Sequence, residues 1–358
     1  MMKRILMAFM VAACVLALVA PGMAAEKKDN IKVGFIYVSP VGDAGWSYSH
    51  DLGRKAVQEL PFAETSYVES VQEGADAERV ILNMARKGYD LIFATSFGYM
   101  DPMLKVAKQF PNTDFEHCSG FKTAKNMGNY FGRMYQARYL TGMVAGKMTK
   151  SNIIGYVAAF PIPEVIRGIN AFALGVKKVN PDAKVKVVWT KTWYDPPLEK
   201  DAAKSLLDVG ADVITQHQDS PGPQEAAQEA GVYSIGYNTD MAKFAPKAHL
   251  TAAVWNWAPL YVEMATQVKD GTWKSTSIWP GMDKGIVGIA PFGPMVPEDV
   301  QKVVMAEADA IKGGKDTVFT GPIKDQAGTV KIAEGTTPSD KDLLGMTWFV
   351  DNVEGSTE

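Results

Sequence analysis

Aromatic and amide side chains recur in this sequence at points where an apolar segment ends. They are Tyr37, Trp46, Phe97, Tyr99, Trp193, Tyr194, His217, Gln218, Tyr237, Asn238, Trp255 and Trp257. The carboxylates among them are few: Asp43, Asp101, Asp195, Asp219 and Asp240. Aromatic rings supply stacking area, while amides and carboxylates read the edge of a flat ligand by hydrogen bonds. The pattern therefore predicts a binding site for a planar, hydrogen-bonding small molecule.

Sequence signatures of catalysis and of metal binding are weak. Residues 142–147 are one residue short of the P-loop spacing and lie in a helical pattern rather than after a strand. No HExxH motif or other zinc-binding spacing is found among the four histidines, His50, His117, His217 and His249. The sequence has no GxSxG nucleophile elbow, and Asp195 before two prolines is typical of a turn. We expect no catalytic residue, no metal and no cofactor.

Short apolar segments alternate with helical patterns through most of the chain. In the first half, strands at 31–38, 65–68 and 91–94 precede helices at 52–60, 77–86 and 103–110. After Lys150 the alternation restarts, with strands at 153–157, 185–189, 213–215 and 233–235 and helices at 165–179, 202–209 and 224–230. Such alternation predicts βαβ units and parallel sheets. The fold class is therefore α/β, with two doubly wound lobes.

The later part of the chain is expected to join the two lobes through a hinge with several crossings. The stretch 250–289 follows a completed second lobe, so we assign 31–148 plus 252–285 to the N-terminal lobe. Residues 149–251 plus 286–358 form the C-terminal lobe. Open α/β sheets bind ligands at the carboxyl ends of their strands, and a hinge closes two such edges around the ligand. The loops expected in the cleft are 39–49, 95–101, 192–197, 216–223 and 236–240.

The N-terminus predicts export from the cytoplasm. Lys3 and Arg4 precede an apolar run at 5–20, and small residues follow near Ala24, which is the pattern of a cleavable signal peptide over 1–24. The run is shorter than the roughly 20 apolar residues of a membrane span. Residues 11–14 resemble a lipobox ending in Cys14, so a lipoprotein is the alternative, but an apolar stretch follows that cysteine. We expect a periplasmic protein.

The composition after the predicted cleavage excludes several classes of protein. Cys118 is then the only cysteine, so packing rather than a disulfide must stabilise the fold. The full sequence has a net charge of −3 and no block of basic residues, which gives no support for nucleic-acid binding. We expect a monomer that binds a small molecule.

Six motifs occur in an order and spacing similar to those of a known family. They are Asp-Ala-Gly-Trp-Ser-Tyr-Ser at 43–49 leading to Gly53, Phe-Gly-Tyr-Met-Asp at 97–101, 155–159 with 163–165, Trp-Tyr-Asp-Pro at 193–196, Gly-Ala-Asp-Val at 210–213, and 319–328. Together they resemble the basic membrane protein (BMP) family of ABC-transporter substrate-binding lipoproteins, which includes purine nucleoside receptors. The resemblance implies a periplasmic binding protein fold of type I and an ABC permease in the inner membrane as partner.

The resemblance also implies roles for individual residues. In nucleoside-binding members two aromatic residues from opposite lobes sandwich the base, and Trp46 and Trp193 occupy the similar positions. A family carboxylate reads the base edge, and Asp101 matches it, with Asp219 as the open alternative. Ser47 stands where the family usually has asparagine.

Two departures from the family bear on the sugar. The family's Gly-Val-Asp loop reads Gly-Tyr-Asn at 236–238 here, and Trp255 replaces its usual lysine. Both changes reduce the space and polarity for ribose, which predicts a free purine nucleobase such as adenine as the ligand. A purine nucleoside is the alternative, and a sugar or amino acid is a more distant one. The predicted ligand-binding residues are Trp46, Ser47, Phe97, Asp101, Trp193, His217, Asp219, Asn238 and Trp255.

Overall fold

Strands and helices alternate through both halves of the computed structural model, which describes residues 27–357. The first elements are β1 (Ile31–Ile36), α1 (Trp46–Gln58), β2 (Ala63–Val68), α2 (Ala75–Arg86), β3 (Leu91–Ala94), α3 (Met100–Ala107), β4 (Asp114–Cys118), β5 (Met127–Tyr130) and α4 (Met134–Met148). Then come β6 (Ile153–Ala158), α5 (Pro163–Val179), β7 (Lys184–Trp189), α6 (Pro196–Asp208), β8 (Val213–His217), α7 (Gly222–Glu229), β9 (Tyr233–Asn238) and β10 (His249–Trp255). The last are α8 (Ala258–Lys269), β11 (Ser277–Ile278), β12 (Val287–Ile289), α9 (Glu298–Lys312), β13 (Ile323–Lys324), β14 (Val330–Ile332), α10 (Asp340–Leu344) and β15 (Val353–Glu354). The predicted signal peptide lies outside the described residues.

Two separate sheets form the centres of two lobes. The first has the strand order β11-β5-β4-β3-β1-β2, and all its pairings are parallel. The second has the order β12-β10-β9-β8-β6-β7-β15, in which only β12 is antiparallel to its neighbour. These sheets confirm the predicted α/β fold class with two doubly wound lobes.

Burial on both faces explains why β3 is apolar along its whole length. All four residues of β3 are buried. All five residues of β8 are buried as well, although its carboxyl end at 215–217 is polar. Strands of parallel sheets covered by helices on both sides read as continuous apolar runs. Helix α2, which covers the first sheet, is apolar on one face only, where Ala77, Val80, Ile81 and Met84 are buried.

The chain passes between the lobes near residues 131–133, 256–257 and 279–281. Helix α4 packs along α5 and also contacts β10, β12 and α9, so residues 134–148 belong to the second lobe and not to the predicted first lobe. Strand β10 stays in the second sheet as far as Trp255, which pairs with β12, so the return to the first lobe begins after 255 rather than at 252. Helix α8 then packs on α1 and β1 of the first lobe.

Helix α4 was assigned to the wrong lobe because its polar residues, among them Gln136, Arg138 and Thr141, do not fall on one face. Every residue from Met134 to Gly146 is buried. A helix that is covered on every side has no exposed polar face, so its periodicity does not indicate which sheet it packs against.

The contact between α4 and α5 depends on reciprocal glycines. A Cβ at Gly142 would lie 2.0 Å from the carbonyl oxygen of Phe172, and one at Gly175 would lie 2.0 Å from that of Tyr139. Each glycine thus lets the backbone of the other helix approach directly. The two buried helices support the second sheet beneath the cleft.

Among residues 27–357, no helix has the length and apolar character needed to cross a lipid bilayer.

Replacement of Gly142 by alanine is expected to lower the free energy of unfolding by about 1–3 kcal/mol, because the new methyl group must push two backbones apart. Gly168→Ala, in α5, is the matched control, since its Cβ would meet no atom closer than 3.9 Å. That variant should be as stable as the parent protein or more so, because alanine favours helix. Urea unfolding measures both. Equal stability of the two variants would contradict the close helix contact.

Candidate functional site

A cavity of about 340 Å³ lies between the carboxyl ends of the two sheets. The first lobe lines it with Val38, Trp46, Ser96, Phe97 and Ser119. The second lobe lines it with Glu164, Trp193, His217, Asp219 and Tyr237. Both lobes therefore contribute side chains to the walls of a single cavity.

The first aromatic wall, Trp46, is fixed by the loop before it. Trp46 begins α1, and the Asp43 carboxylate accepts hydrogen bonds from the backbone N–H groups of Gly45 (2.8 Å), Ser47 (2.9 Å) and Tyr48 (3.0 Å). These N–H groups have no partner within the helix. The indole Nε1 of Trp46 donates to the carbonyl oxygen of Thr95 at 2.6 Å. The ring therefore has a fixed orientation at the cavity.

The second aromatic wall, Trp193, comes from the loop between β7 and α6. Its ring centroid lies 4.9 Å from that of Phe160 and 6.4 Å from that of His217. The ring is half-buried and lines the same cavity as Trp46. The structure thus brings both predicted tryptophans to one cavity from opposite lobes.

Asp219 is the carboxyl group that a chain of side chains holds at the cavity. The amide Nδ2 of Asn238 donates to Asp219 Oδ1 at 3.2 Å, and Trp255 Nε1 donates to Asn238 Oδ1 at 3.0 Å. Burial raises the pKa of Asp219 well above its ordinary value, and the nearby charges of Asp43 and Glu199 raise it further. A protonated carboxyl both donates and accepts hydrogen bonds.

Asn238 and Trp255 lie behind Asp219 rather than in the cavity wall. Asn238 has a φ of +70°, a conformation that asparagine tolerates better than most residues. Trp255 stacks on Trp257 with centroids 4.5 Å apart and planes at 17°. Their contacts position Asp219, and neither residue is among those that line the cavity.

Two further predicted site residues, Asp101 and Ser47, also do not line the cavity. Asp101 is in the first turn of α3, where its side chain is 68% exposed and its Oδ1 lies 2.6 Å from Lys122 Nζ. The short helical turn at 97–99 brings Phe97 to the cavity and leaves Asp101 on the outer surface. Ser47 is buried, and its hydroxyl bonds that of Ser39 at 2.7 Å inside the loop. Asp219 therefore takes the place at the cavity predicted for Asp101.

His217 and its neighbours form the polar part of the second-lobe wall. His217 Nε2 lies 3.5 Å from Glu164 Oε1, and its ring centroid is 4.5 Å from that of Tyr237. Burial lowers the pKa of His217, and the hydrogen bond to Glu164 opposes that shift. Glu164 was missed from the sequence, although it follows β6 and the rule of strand carboxyl ends applies there as well.

The polar groups of the site do not form a metal centre. Within the described part of the chain, no group of three or more histidine, cysteine, aspartate or glutamate side chains is placed to hold a metal ion.

The two lobes touch beside the cavity at the loop before α1. A Cβ at Gly45 would lie 2.0 Å from the carbonyl oxygen of Asp219 in the other lobe. The hydroxyl of Thr239 donates to the carbonyl oxygen of Ala44 across the same seam. The rings of Trp46 and Trp255 also meet edge to face, with centroids 5.8 Å apart. The structure is therefore a closed arrangement of the lobes.

Comparison with known proteins reveals close relatives along nearly the whole chain. A purine-binding protein of Brucella abortus is 50% identical over 93% of this chain and 95% of its own. A putative ABC transporter glucose-binding protein of Haloferax volcanii is 42% identical over 91% of this chain and 81% of its own.

Solved structures agree on the fold. An ABC transporter solute-binding protein from Aeropyrum pernix K1 superimposes with a TM-score of 0.72 at 20% identity, covering 87% of this chain and 95% of its own. The fold is that of a type I-like periplasmic binding protein. The family model for PnrA-like ABC transporter substrate-binding proteins matches residues 30–318. With the Brucella relative, that match shows that this chain belongs to the Bmp family of substrate-binding proteins, whose members bind a transported small molecule rather than act as enzymes.

Proposed function

We propose that this protein binds a free purine nucleobase between its lobes in the periplasm and delivers it to an ABC permease of the inner membrane. The observation that carries the proposal is the pair of tryptophans, Trp46 and Trp193, which line one cavity of about 340 Å³ from opposite lobes. The Brucella relative, named as a purine-binding protein, supports the ligand class.

Stacking and edge recognition together suit a purine. Base stacking on an aromatic side chain contributes about 1–3 kcal/mol in nucleic-acid-binding proteins. The edge of a purine carries both donors and acceptors, and the cavity offers the Asp219 and Glu164 carboxyl groups with the hydroxyls of Ser96 and Ser119. A buried polar group left unpaired costs about 1–3 kcal/mol, so these groups favour a ligand with a complementary edge.

The surroundings of Trp255 favour a base over a nucleoside. The two departures from the family pattern that bear on ribose are Asn238 and Trp255, which bond each other. Asn238 also bonds Asp219, and Trp255 is stacked on Trp257 and only 7% exposed. Neither side chain has a free polar atom directed at ribose hydroxyls in this arrangement.

Lobe closure completes the site. A ligand that lands on one tryptophan gains the second ring only when the lobes close, so binding shifts the population toward the closed form. The closed form is the one expected to dock on the permease.

Competition calorimetry with a purine base, the matching nucleoside and glucose tests the proposal. The base should bind with the highest affinity, and the nucleoside should bind more weakly because Asn238 and Trp255 bond each other and leave no polar atom for the ribose hydroxyls. A nucleoside that binds as tightly as the base would contradict the free-base assignment. Tight binding of glucose without purine binding would contradict the ligand class.

Alanine at Trp46 or at Trp193 should weaken purine binding about tenfold or more, because each variant loses one stacking face. Trp189→Ala is the control, since Trp189 packs on Phe349 outside the cavity. Isothermal titration calorimetry provides the affinities. Unchanged affinity in both the Trp46 and the Trp193 variant would exclude stacking of the purine between these two rings.

Alanine at Gly45 should weaken binding about tenfold or more while leaving the open protein folded, because its Cβ collides with Asp219 only when the lobes close. Gly42→Ala is the matched control from the same loop, since its Cβ would have no neighbour within 4 Å. Small-angle scattering should show that purine compacts the control and not Gly45→Ala. If purine compacts the Gly45→Ala variant and binds it with full affinity, the close contact between Gly45 and Asp219 is not needed for closure, and the prediction is wrong.

Purine affinity should fall as pH rises through the raised pKa of Asp219, because the deprotonated carboxylate loses its donor. Below that pKa the protonated form predominates and the affinity should be level. Asp219→Asn keeps a donor that does not titrate, so its affinity should stay level over the same range. Calorimetry across a pH series compares the two proteins. A parallel fall in both would assign the pH dependence to another group.

A further inference from the structure

A second cavity, of about 240 Å³, shares three walls with the first: Glu164, His217 and Tyr237. Its other walls are Phe131, Met134, Tyr135, Arg138, Arg167 and Gly168. We call this second cavity the annex. It lies on the hinge side of the ligand cavity, where the chain enters α4.

Arg138 is a buried cation of the annex with unused hydrogen-bond donors. Its side chain is fully buried, its guanidinium stacks 3.6 Å from the ring centroid of Tyr237, and its Nη1 donates to the carbonyl oxygen of Gln216 at 2.7 Å. Its Nε and Nη2 atoms have no hydrogen-bond partner within the described chain. Arg138 thus contacts Tyr237 and Gln216 with one part of its guanidinium group, and the edge formed by Nε and Nη2 makes no hydrogen bond to the described chain.

Arg167 adds a second buried positive charge. It donates to the carbonyl oxygen of Leu343 at 2.9 Å, and burial lowers its pKa to about 10 while the charge of Glu164 opposes that shift. Arg167 therefore remains cationic at neutral pH. Glu164 is the one carboxylate that lines the annex, so two guanidinium groups face a single acidic side chain.

An unpaired buried donor is costly, and more so when it belongs to a charged group. A ligand with an acceptor oxygen at this position would satisfy the free edge of Arg138. The pairing has a known geometry in nucleic-acid recognition, where an arginine edge donates to the O6 and N7 atoms of guanine. Adenine presents an amino donor at the equivalent position, which would face the donors of Arg138.

We propose that the annex receives the exocyclic oxygen of the ligand and that the protein selects 6-oxopurines over 6-aminopurines. This inference rests on the proposed purine-binding function. An adenine-like ligand was expected from the sequence, and the proposed selection of 6-oxopurines differs from that expectation. The difference arises because the position of Arg138 in the annex wall is known only from the structure. Arg138 is then a specificity-determining residue of the site.

Calorimetry with hypoxanthine and adenine tests the selection. The unmodified protein should bind hypoxanthine about tenfold or more tightly than adenine. In Arg138→Met, which keeps the bulk of the side chain without its donors, hypoxanthine affinity should fall about tenfold while adenine affinity changes little. Arg133→Met is the control, because Arg133 pairs with Asp340 and lines neither cavity.

The ratio of the two affinities separates recognition from structural damage. A variant that loses both ligands by the same factor would show that Arg138 only supports the fold, and would overturn the inference. Adenine binding as tight as hypoxanthine in the unmodified protein would overturn it without any variant. Tight, equal binding of both bases would leave the proposed function standing, whereas failure of both to bind would overturn the function as well.

Discussion

The approach of the Gly45 backbone to the Asp219 carbonyl sets the geometry of the closed cavity. A side-chain carbon at position 45 would lie 2.0 Å from that oxygen, so the contact exists only because glycine has no Cβ. Trp46 follows Gly45 in the chain, and the Asp219 side chain lines the cavity beside it. One contact between the backbones of the two lobes thus fixes a stacking ring and a hydrogen-bonding group relative to each other.

Buried polar contacts hold each half of this seam in place before a ligand binds. On the first lobe, Asp43 binds the N–H groups at the start of α1 and orients Trp46. On the second lobe, Trp255 and Asn238 form a relay that ends on Asp219. Preorganised groups lose little conformational freedom on binding, so more of the interaction energy appears as affinity. The residues that line the cavity and those that position them are therefore different sets.

The sequence predicted the parts of the site that follow from parallel strands. Strand β3 matches its predicted bounds, and Phe97, Trp193 and Asp219 line the cavity because each comes shortly after the carboxyl end of a strand. The same rule could not place Asp101, because one further helical turn separates it from the cavity. The helical turn at 97–99 leaves the motif at 97–101 intact in the sequence but moves the Asp101 side chain from the cleft to the surface.

Sequence patterns could not predict the positions of residues that are set by contacts between distant elements. Helix α4 was assigned to the wrong lobe because it is buried on every side and has no exposed polar face, and Arg138 on that helix was not predicted beside the cleft for the same reason. The relay from Trp255 in β10 through Asn238 in β9 reaches Asp219 in the loop after β8. The family resemblance implied only that Trp255 replaces a lysine. In both cases the packing of neighbouring elements decides where the side chain lies.

Purine binding can be tested most directly on protein purified from its natural host. The protein is denatured, and the small molecule that it releases is identified by mass spectrometry, with the amount compared with that of the protein. A free purine base released in stoichiometric amount is the expected result. A nucleoside would show that the site around Asn238 and Trp255 accommodates ribose, and a sugar or amino acid in stoichiometric amount would contradict purine recognition by the two tryptophans.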